Sequence, residues 1–237
     1  MDELKGRVAY ITGGSKGIGY GIAKRLLDAG MKVAISGRDN ETLKNAAASL
    51  GSDNVLMVVS DVAKMDDEKK AADQILGHWG QLDVVIANAG VGHFAPIDQL
   101  EASAWHQMID TNLTGPFNTL KGTLPALKES RGYYITIASL AGTNFFASGA
   151  GYNATKFGLV GFSQAVMLDL RPYDIKVSTI MPGSVATYFN DHTPSEKDGW
   201  KIQPEDIGEL VLDLLKMHPR TLPSKIEVRP SRPDLKG

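Results

Sequence analysis

Short runs of apolar, valine- and isoleucine-rich residues recur along the chain. Each is followed by a longer stretch in which apolar positions return at helical spacing. The first run covers 7–11; beyond a glycine-containing turn, Ile22, Ala23, Leu26 and Leu27 mark a helix that Gly30 stops. The pattern then predicts a strand at 32–36, a helix at 40–50, a strand at 55–59, a helix at 66–78 and a strand at 82–86. A long helical region follows over about 101–128, with an irregularity expected at Gly115-Pro116, where proline removes a helical donor. Further on come a strand at 133–138, a helix at 149–170, a strand at 175–181, a helix at about 204–217 and a last strand at 225–229.

Strands of this composition alternating with helices predict a parallel sheet covered on both faces. The expected fold is therefore α/β, a Rossmann-type doubly wound sheet of about seven strands. No repeat, low-complexity segment or linker divides the chain, so 1–237 reads as a single domain. The helix at 149–170 carries Leu159, Phe162, Val166 and Leu170 on one side and Phe157, Val160, Met167 and Leu168 elsewhere. An amphipathic surface helix needs only one apolar stripe, so burial on more than one face is expected.

Composition changes this picture little, but it removes several functions. A formal charge of −2 gives no reason to expect nucleic acid or an anionic membrane as partner. The chain has no cysteine, which excludes disulfides, thiol catalysis and zinc–thiolate sites. His78, His93, His106, His192 and His218 show no ligand spacing, so no metal is expected. The acidic start at Met1 to Glu3 does not resemble a signal peptide, and the uncharged stretch 132–155 is too polar to span a membrane. A cytoplasmic location is expected.

Candidate chemistry begins at the first strand-to-helix turn, where Gly13, Gly17 and Gly19 recur as G-x-x-x-G-x-G. Glycines there let the backbone approach a dinucleotide pyrophosphate, and the helix N-terminus offers free N–H groups and partial positive charge. The spacing is one residue wider than the commonest fingerprint, and its place after the first strand gives it weight. Where an NAD site usually presents a carboxylate, at the end of the second strand, this chain has Ser36-Gly37-Arg38-Asp39. Lys16 and Arg38 converge on the position of a 2′-phosphate, and Ser15 can donate to it. Asp39 is left either to pair with Arg38 or to cap the next helix. The cofactor expected is NADP(H).

The second constellation lies in the other half of the chain. Tyr152 and Lys156 stand at i and i+4 on one helix face, with Ser139 upstream. An ammonium beside a phenol favours the phenolate and lowers a pKa that is ordinarily roughly 10. Ser139 can then hold a carbonyl oxygen against the Tyr152 hydroxyl.

These pieces resemble the short-chain dehydrogenase/reductase family across nearly the whole chain. They occur in the family's order: Thr12-Gly13-x-x-x-Gly17-x-Gly19, Asp61-Val62, Asn88-Ala89-Gly90, Asn112, Ser139, Tyr152-x-x-x-Lys156 and Pro182-Gly183. Ala87 departs from it, standing where many members carry a second asparagine. The resemblance implies Tyr152 as general acid/base, Ser139 as the group that orients and polarises the substrate oxygen, and Lys156 on the nicotinamide ribose. It implies that Asn112 holds a water linking Lys156 to solvent. It places Gly13, Ser15, Lys16, Gly17, Ile18, Gly19 and Arg38 on the phosphates, and Asp61 and Val62 on the adenine. Asn88, Ala89 and Gly90 would lie by the adenine-side ribose, and Pro182 and Gly183 would set the loop beside the nicotinamide, with Val185 and Thr187 bonding its carboxamide or the phosphates. Family members pair the two long helices across a dimer interface, often within a tetramer, so a homo-oligomer is expected.

The substrate loop, about 184–203, offers Tyr188, Phe189 and Trp200, and Phe145 and Phe146 follow the serine. His93 and Phe94 follow the Asn88-Ala89-Gly90 turn, either lining the pocket or lying in a surface loop. An aromatic pocket favours a moderately apolar ketone, aldehyde or secondary alcohol over a small charged acid. One alternative is a 3-oxoacyl-[acyl-carrier-protein] reductase. It is poorly supported by Asp191, Glu196 and Asp198 against Lys197 and Lys201, and Ile226-Glu227-Val228-Arg229-Pro230 lacks the glycine-rich ending common in that group. A second alternative is a non-catalytic NADP-binding regulator, against which the intact Asn112, Ser139, Tyr152 and Lys156 set argues.

Overall fold

The computed structural model describes residues 4–232, the side chain of Asp191 excepted. The acidic start at Met1 to Glu3, the end of the tail and the Asp191 side-chain charge therefore lie outside the described residues. The elements alternate as expected: β1 (Val8–Thr12), α1 (Gly17–Asp28), β2 (Lys32–Gly37), α2 (Asn40–Leu50), β3 (Val55–Val59), α3 (Met65–Trp79), β4 (Val84–Ala87), α4 (Ala102–Ile109), α5 (Gly115–Ser130), β5 (Tyr133–Ile137), α6 (Ala150–Leu170), β6 (Lys176–Pro182), α7 (Pro204–Lys216) and β7 (Lys225–Val228). All seven strands form one parallel sheet in the order β3-β2-β1-β4-β5-β6-β7.

Successive residues of β1 serve opposite faces. Ala9 and Ile11 pack with Ile22, Leu26, Leu43, Ile207 and Val211 of α1, α2 and α7. Val8 and Tyr10 pack with Ala71, Ile75, Leu120, Leu127 and Met167 of α3, α5 and α6. This period of two persists although every residue of the strand is buried, which is why its sequence reads as a continuous apolar run. The strand order reverses between β1 and β4, and in open α/β sheets the crevice at such a switch point binds ligands at the carboxyl ends of the strands.

The long helical region differs from expectation in one respect. Its irregularity is a π turn at Asp110–Thr114, closed by the Gly115 N–H donating to the Asp110 carbonyl. Pro116 follows at once in a helix that runs on from α4 through this turn, and it lacks the N–H that an unbroken α-helix would use there. No helix among the described residues is long and apolar enough to cross a membrane.

Candidate active site

The glycine turn is built for close approach. Gly13 has φ +65°, and a Cβ on Gly19 would collide with the Gly13 carbonyl oxygen. Asn88, at the end of β4, ties this turn across the switch point: its Nδ2 donates to the carbonyls of Thr12 (2.9 Å) and Gly13 (3.1 Å). The backbone N–H groups of Asn88 and Ala89 both donate to the Thr12 hydroxyl. The Asn88 side chain therefore braces the turn, a task the motif alone did not reveal.

The α1 N-terminus has no side-chain cap and no acid in its first turn, whereas α2 is capped by Asp39 and α3 opens with Asp66, Asp67 and Glu68. Its free N–H groups are thus available to an anion. Ile18 presents only backbone here, because its side chain packs against the core. Asp39 caps rather than pairs: its carboxylate accepts from the Thr42 N–H at 2.7 Å, and these Thr42 bonds lower its pKa. Among the described residues neither Lys16 nor Arg38 belongs to an ion pair, and both are exposed. The Ser15 hydroxyl lies 3.8 Å from where a Gly37 Cβ would be. An uncapped helix start, two unpaired cations and a hydroxyl make a donor set that fits a phosphorylated dinucleotide.

The other residues expected near the cofactor also fall along this edge of the sheet. Asp61 accepts from the Ala63 N–H at 3.2 Å, and buried Val62 gives its carbonyl to Asn118 Nδ2 at 2.9 Å. A Cβ on Gly90 would stand 3.4 Å from Asn112 Oδ1 and 3.7 Å from Lys156 Nζ, which ties the cofactor-side turn to the reactive side chains. Pro182 ends β6, and the Gly183 N–H donates to the Val228 carbonyl at 2.8 Å. Val185 bridges to Ile202, and the Thr187 Cβ lies 3.3 Å from where a Gly17 Cβ would be.

The reactive side chains converge at the ends of β4 and β5. Ser139 begins a turn after β5 and accepts from the Ala141 N–H at 3.1 Å. The loop is pinned by Asn153, whose Nδ2 donates to the carbonyls of Ala141 and Asn144, both at 2.7 Å. Tyr152 is buried, with the Ser139 hydroxyl near enough to its phenol to act on it. Lys156, one turn on and also buried, donates from Nζ to the Ile137 carbonyl at 3.1 Å. Asn112, in the π turn, clamps Val91: Oδ1 accepts from its N–H and Nδ2 donates to its carbonyl, each at 2.8 Å, with a further bond to the Thr155 hydroxyl. Its side chain is thus fully engaged with protein, not poised toward Lys156.

One expectation reverses. Burial pushes the Tyr152 hydroxyl up to about 12, and the neighbouring Ser139 hydroxyl only partly opposes it. Burial likewise brings the Lys156 ammonium down to about 8. Lys156 Nζ stands 5.6 Å from the Tyr152 ring centroid, and burial, not that ammonium, sets the direction of the phenol's shift. At neutral pH Tyr152 is a protonated donor, and Lys156 retains its charge.

Aromatic rings surround Tyr152. Phe94 meets it edge-on at 5.4 Å, Phe189 lies tilted at 5.6 Å, and Phe146 packs on Phe94 at 5.5 Å. Phe94 thus faces the site, whereas His93 turns away to Gln107 Oε1 at 2.7 Å. A cavity of about 520 Å³ opens over Ser139 and Tyr152, walled by Phe145, Phe146, Trp200 and Arg229. Tyr188 is exposed and does not line it. Asn153 and Arg229 are the residues that the sequence reading missed. Asn153 lies inside the Tyr-x-x-x-Lys motif, and the β7 pattern would have placed Arg229 at a strand's carboxyl end.

A family profile described as short chain dehydrogenase matches residues 7–198. An uncharacterized oxidoreductase of Staphylococcus aureus (strain MRSA252) is 35% identical over 231 residues, covering 97% of this chain and all (100%) of its own. Among solved structures, an alcohol dehydrogenase from the archaeon Thermococcus sibiricus complexed with 5-hydroxy-NADP superposes with a TM-score of 0.90 at 30% identity, covering 97% of this chain and 100% of that one. A 3-ketoacyl-(acyl-carrier-protein) reductase from Brucella melitensis complexed with NADH gives 0.88 at 27%, covering 95% and 98%. Fold and matches together define an oxidoreductase of the nicotinamide-binding α/β class. The chain belongs to the short-chain dehydrogenase/reductase family.

Proposed function

We propose that the protein is an NADP(H)-dependent oxidoreductase that interconverts a carbonyl compound and its secondary or primary alcohol. The observation that carries this reading is the buried Tyr152 beside Ser139 in the wall of one aromatic cavity, its phenol kept protonated by burial. When bound, the nicotinamide exchanges a hydride with the substrate carbon. The chain does the rest. Ser139 holds the substrate oxygen, and Tyr152 gives it a proton in reduction and takes one in oxidation. Lys156 holds the nicotinamide ribose, and its charge offsets phenolate formation. Asn112 fixes the π turn behind Lys156 and, through its backbone carbonyl, can hold the relay water. Gly13, Gly17, Gly19, Ser15, Lys16 and Arg38 receive the phosphates. Asp61, Val62 and the Asn88-Ala89-Gly90 turn take the adenosine, and Pro182, Gly183, Val185 and Thr187 the nicotinamide end.

The preference for NADP(H) rests on this chain's own residues, since the structural relatives hold both cofactors. The carrier-protein alternative gains little: Asp198 is neutralised by Lys201 at 2.6 Å, leaving no basic patch in the substrate loop. Phe117, Phe157 and Leu168 remain exposed on α5 and α6, which supports a homo-oligomer through those helices. The absence of cysteine suits the cytoplasm. NADPH oxidation with a panel of ketones, aldehydes and acyl thioesters tests the reading. Tight NADPH binding with no turnover on any of them would replace it with a cofactor-binding regulator.

A further inference from the structure

The cavity above Tyr152 has a charged end. β7 pairs with β6 in a register that sets Val228 opposite Pro182, so the next residue, Arg229, emerges at the carboxyl edge of the sheet. Arg229 lines the same cavity as Ser139 and Tyr152, and among the described residues no lysine, histidine or carboxylate shares its wall. The rest of the wall is mostly apolar, with Phe146, Leu140 and Trp200. Glu227 holds Arg229 Nη2 at 3.0 Å, but it lies outside the cavity wall, and the Arg229 side chain is 56% exposed. An exposed pair of this kind contributes little, and it uses one of five guanidinium donors. The edge left over matches a carboxylate in a two-bond fork. A doubly charged phosphate calls for more than this one cation.

Resting on the oxidoreductase reading above, we propose that the substrate is an oxo acid. Its carbonyl lies at Tyr152, its apolar body against Phe146 and Trp200, and its carboxylate on Arg229. The chemistry balances as for any carbonyl reduction: the carbon gains the hydride, the oxygen gains the Tyr152 proton, and NADPH leaves as NADP⁺. The carboxylate is unchanged. Arg229 is a specificity residue, and the small-acid exclusion drawn from aromatic content applies only to acids too short to span the cavity.

The test is the rate of NADPH oxidation on oxo acids of increasing chain length, each paired with its methyl ester and with a phosphate monoester of matching length. Wild-type protein should prefer the acid. Arg229→Leu should cut the acid-over-ester ratio of kcat/KM roughly tenfold, mainly through KM, as expected for a partly exposed charge-assisted bond. Glu227→Gln should raise that ratio by freeing the guanidinium. The proposal is overturned if acid and ester fall together in Arg229→Leu, if the ratio is unchanged, or if only the phosphate monoester depends on Arg229. Turnover of oxo acids without any dependence on Arg229 would sink this inference alone. No turnover of any carbonyl would sink the reading beneath it as well.

Discussion

The nucleotide end and the substrate end of this site are made from different materials. At the nucleotide end, strand termini hold one another: the Gly14 N–H donates to the Ser36 carbonyl at 3.0 Å, and the Ser60 N–H to the Gly37 carbonyl at 3.0 Å. Beneath them, buried Glu68 accepts from the Ser60 hydroxyl at 2.6 Å and from the Tyr10 hydroxyl at 3.1 Å, and Tyr10 also reaches Ser36 at 3.1 Å. At the substrate end, the walls are rings carried on loops. Ser148 and Asn190, both non-glycine residues with positive φ (64° and 56°), lie in those loops. The first end is fixed by directional bonds inside the sheet. The second is anchored at a few points, by Asn153 and Asp198, while its rings meet by non-directional packing that can be exchanged with less cost to the fold.

Substitutions can break or sharpen this contrast. The largest effect should come where the two ends meet. Tyr152→Phe should lower kcat by roughly 10²–10⁴-fold with NADPH affinity nearly unchanged; steady-state rates and a cofactor titration would show it, and retained turnover would mean the proton comes from elsewhere. Next, at the nucleotide end, Arg38→Asp should weaken NADPH by roughly a hundredfold through lost pairing and new repulsion, while NADH changes far less. Equal losses would remove Arg38 from the 2′-phosphate. At the substrate end, Phe189→Ala should raise substrate KM by about three- to tenfold, the worth of an aromatic pair, and leave NADPH binding alone.

The smallest effect concerns pH. Burial raises the Glu68 pKa above its ordinary 4.5. The folded protein therefore binds this proton more tightly than the unfolded chain, and stability falls as pH climbs from about 4.5 through the raised folded value. Glu68→Gln lacks that proton equilibrium. Melting curves should show wild-type protein losing Tm relative to Glu68→Gln over this interval, and a constant difference would contradict the raised pKa.

The same contrast explains what could be read from the chain. Gly13, Arg38, Asn88 and Tyr152 were legible because each lies at a strand end or one helical turn from a partner, so spacing carries position. The alternation also gave all seven strands, since fully buried parallel strands are short apolar runs. The Tyr152 pKa was not legible, because it depends on how much protein covers the phenol. Nor was the Glu68 network, whose members Tyr10, Ser36 and Ser60 come from three separate strand segments. Arg229 escaped because its importance depends on β7 lying next to β6.

The π turn at Asp110–Thr114 has a consequence for how this chain can change. A π turn carries one residue more than an α-helical turn, so α4 and α5 are geared out of phase by roughly 100°. That offset lets Met108 join Tyr152 and Ala141 beside the site while Leu120 and Leu127 still face the sheet. Losing a single residue here would remove the π turn and rotate one helix against the other, detaching either the core face or the site face. The segment therefore tolerates substitution far better than deletion, and its length, more than any one side chain, keeps site and core in register.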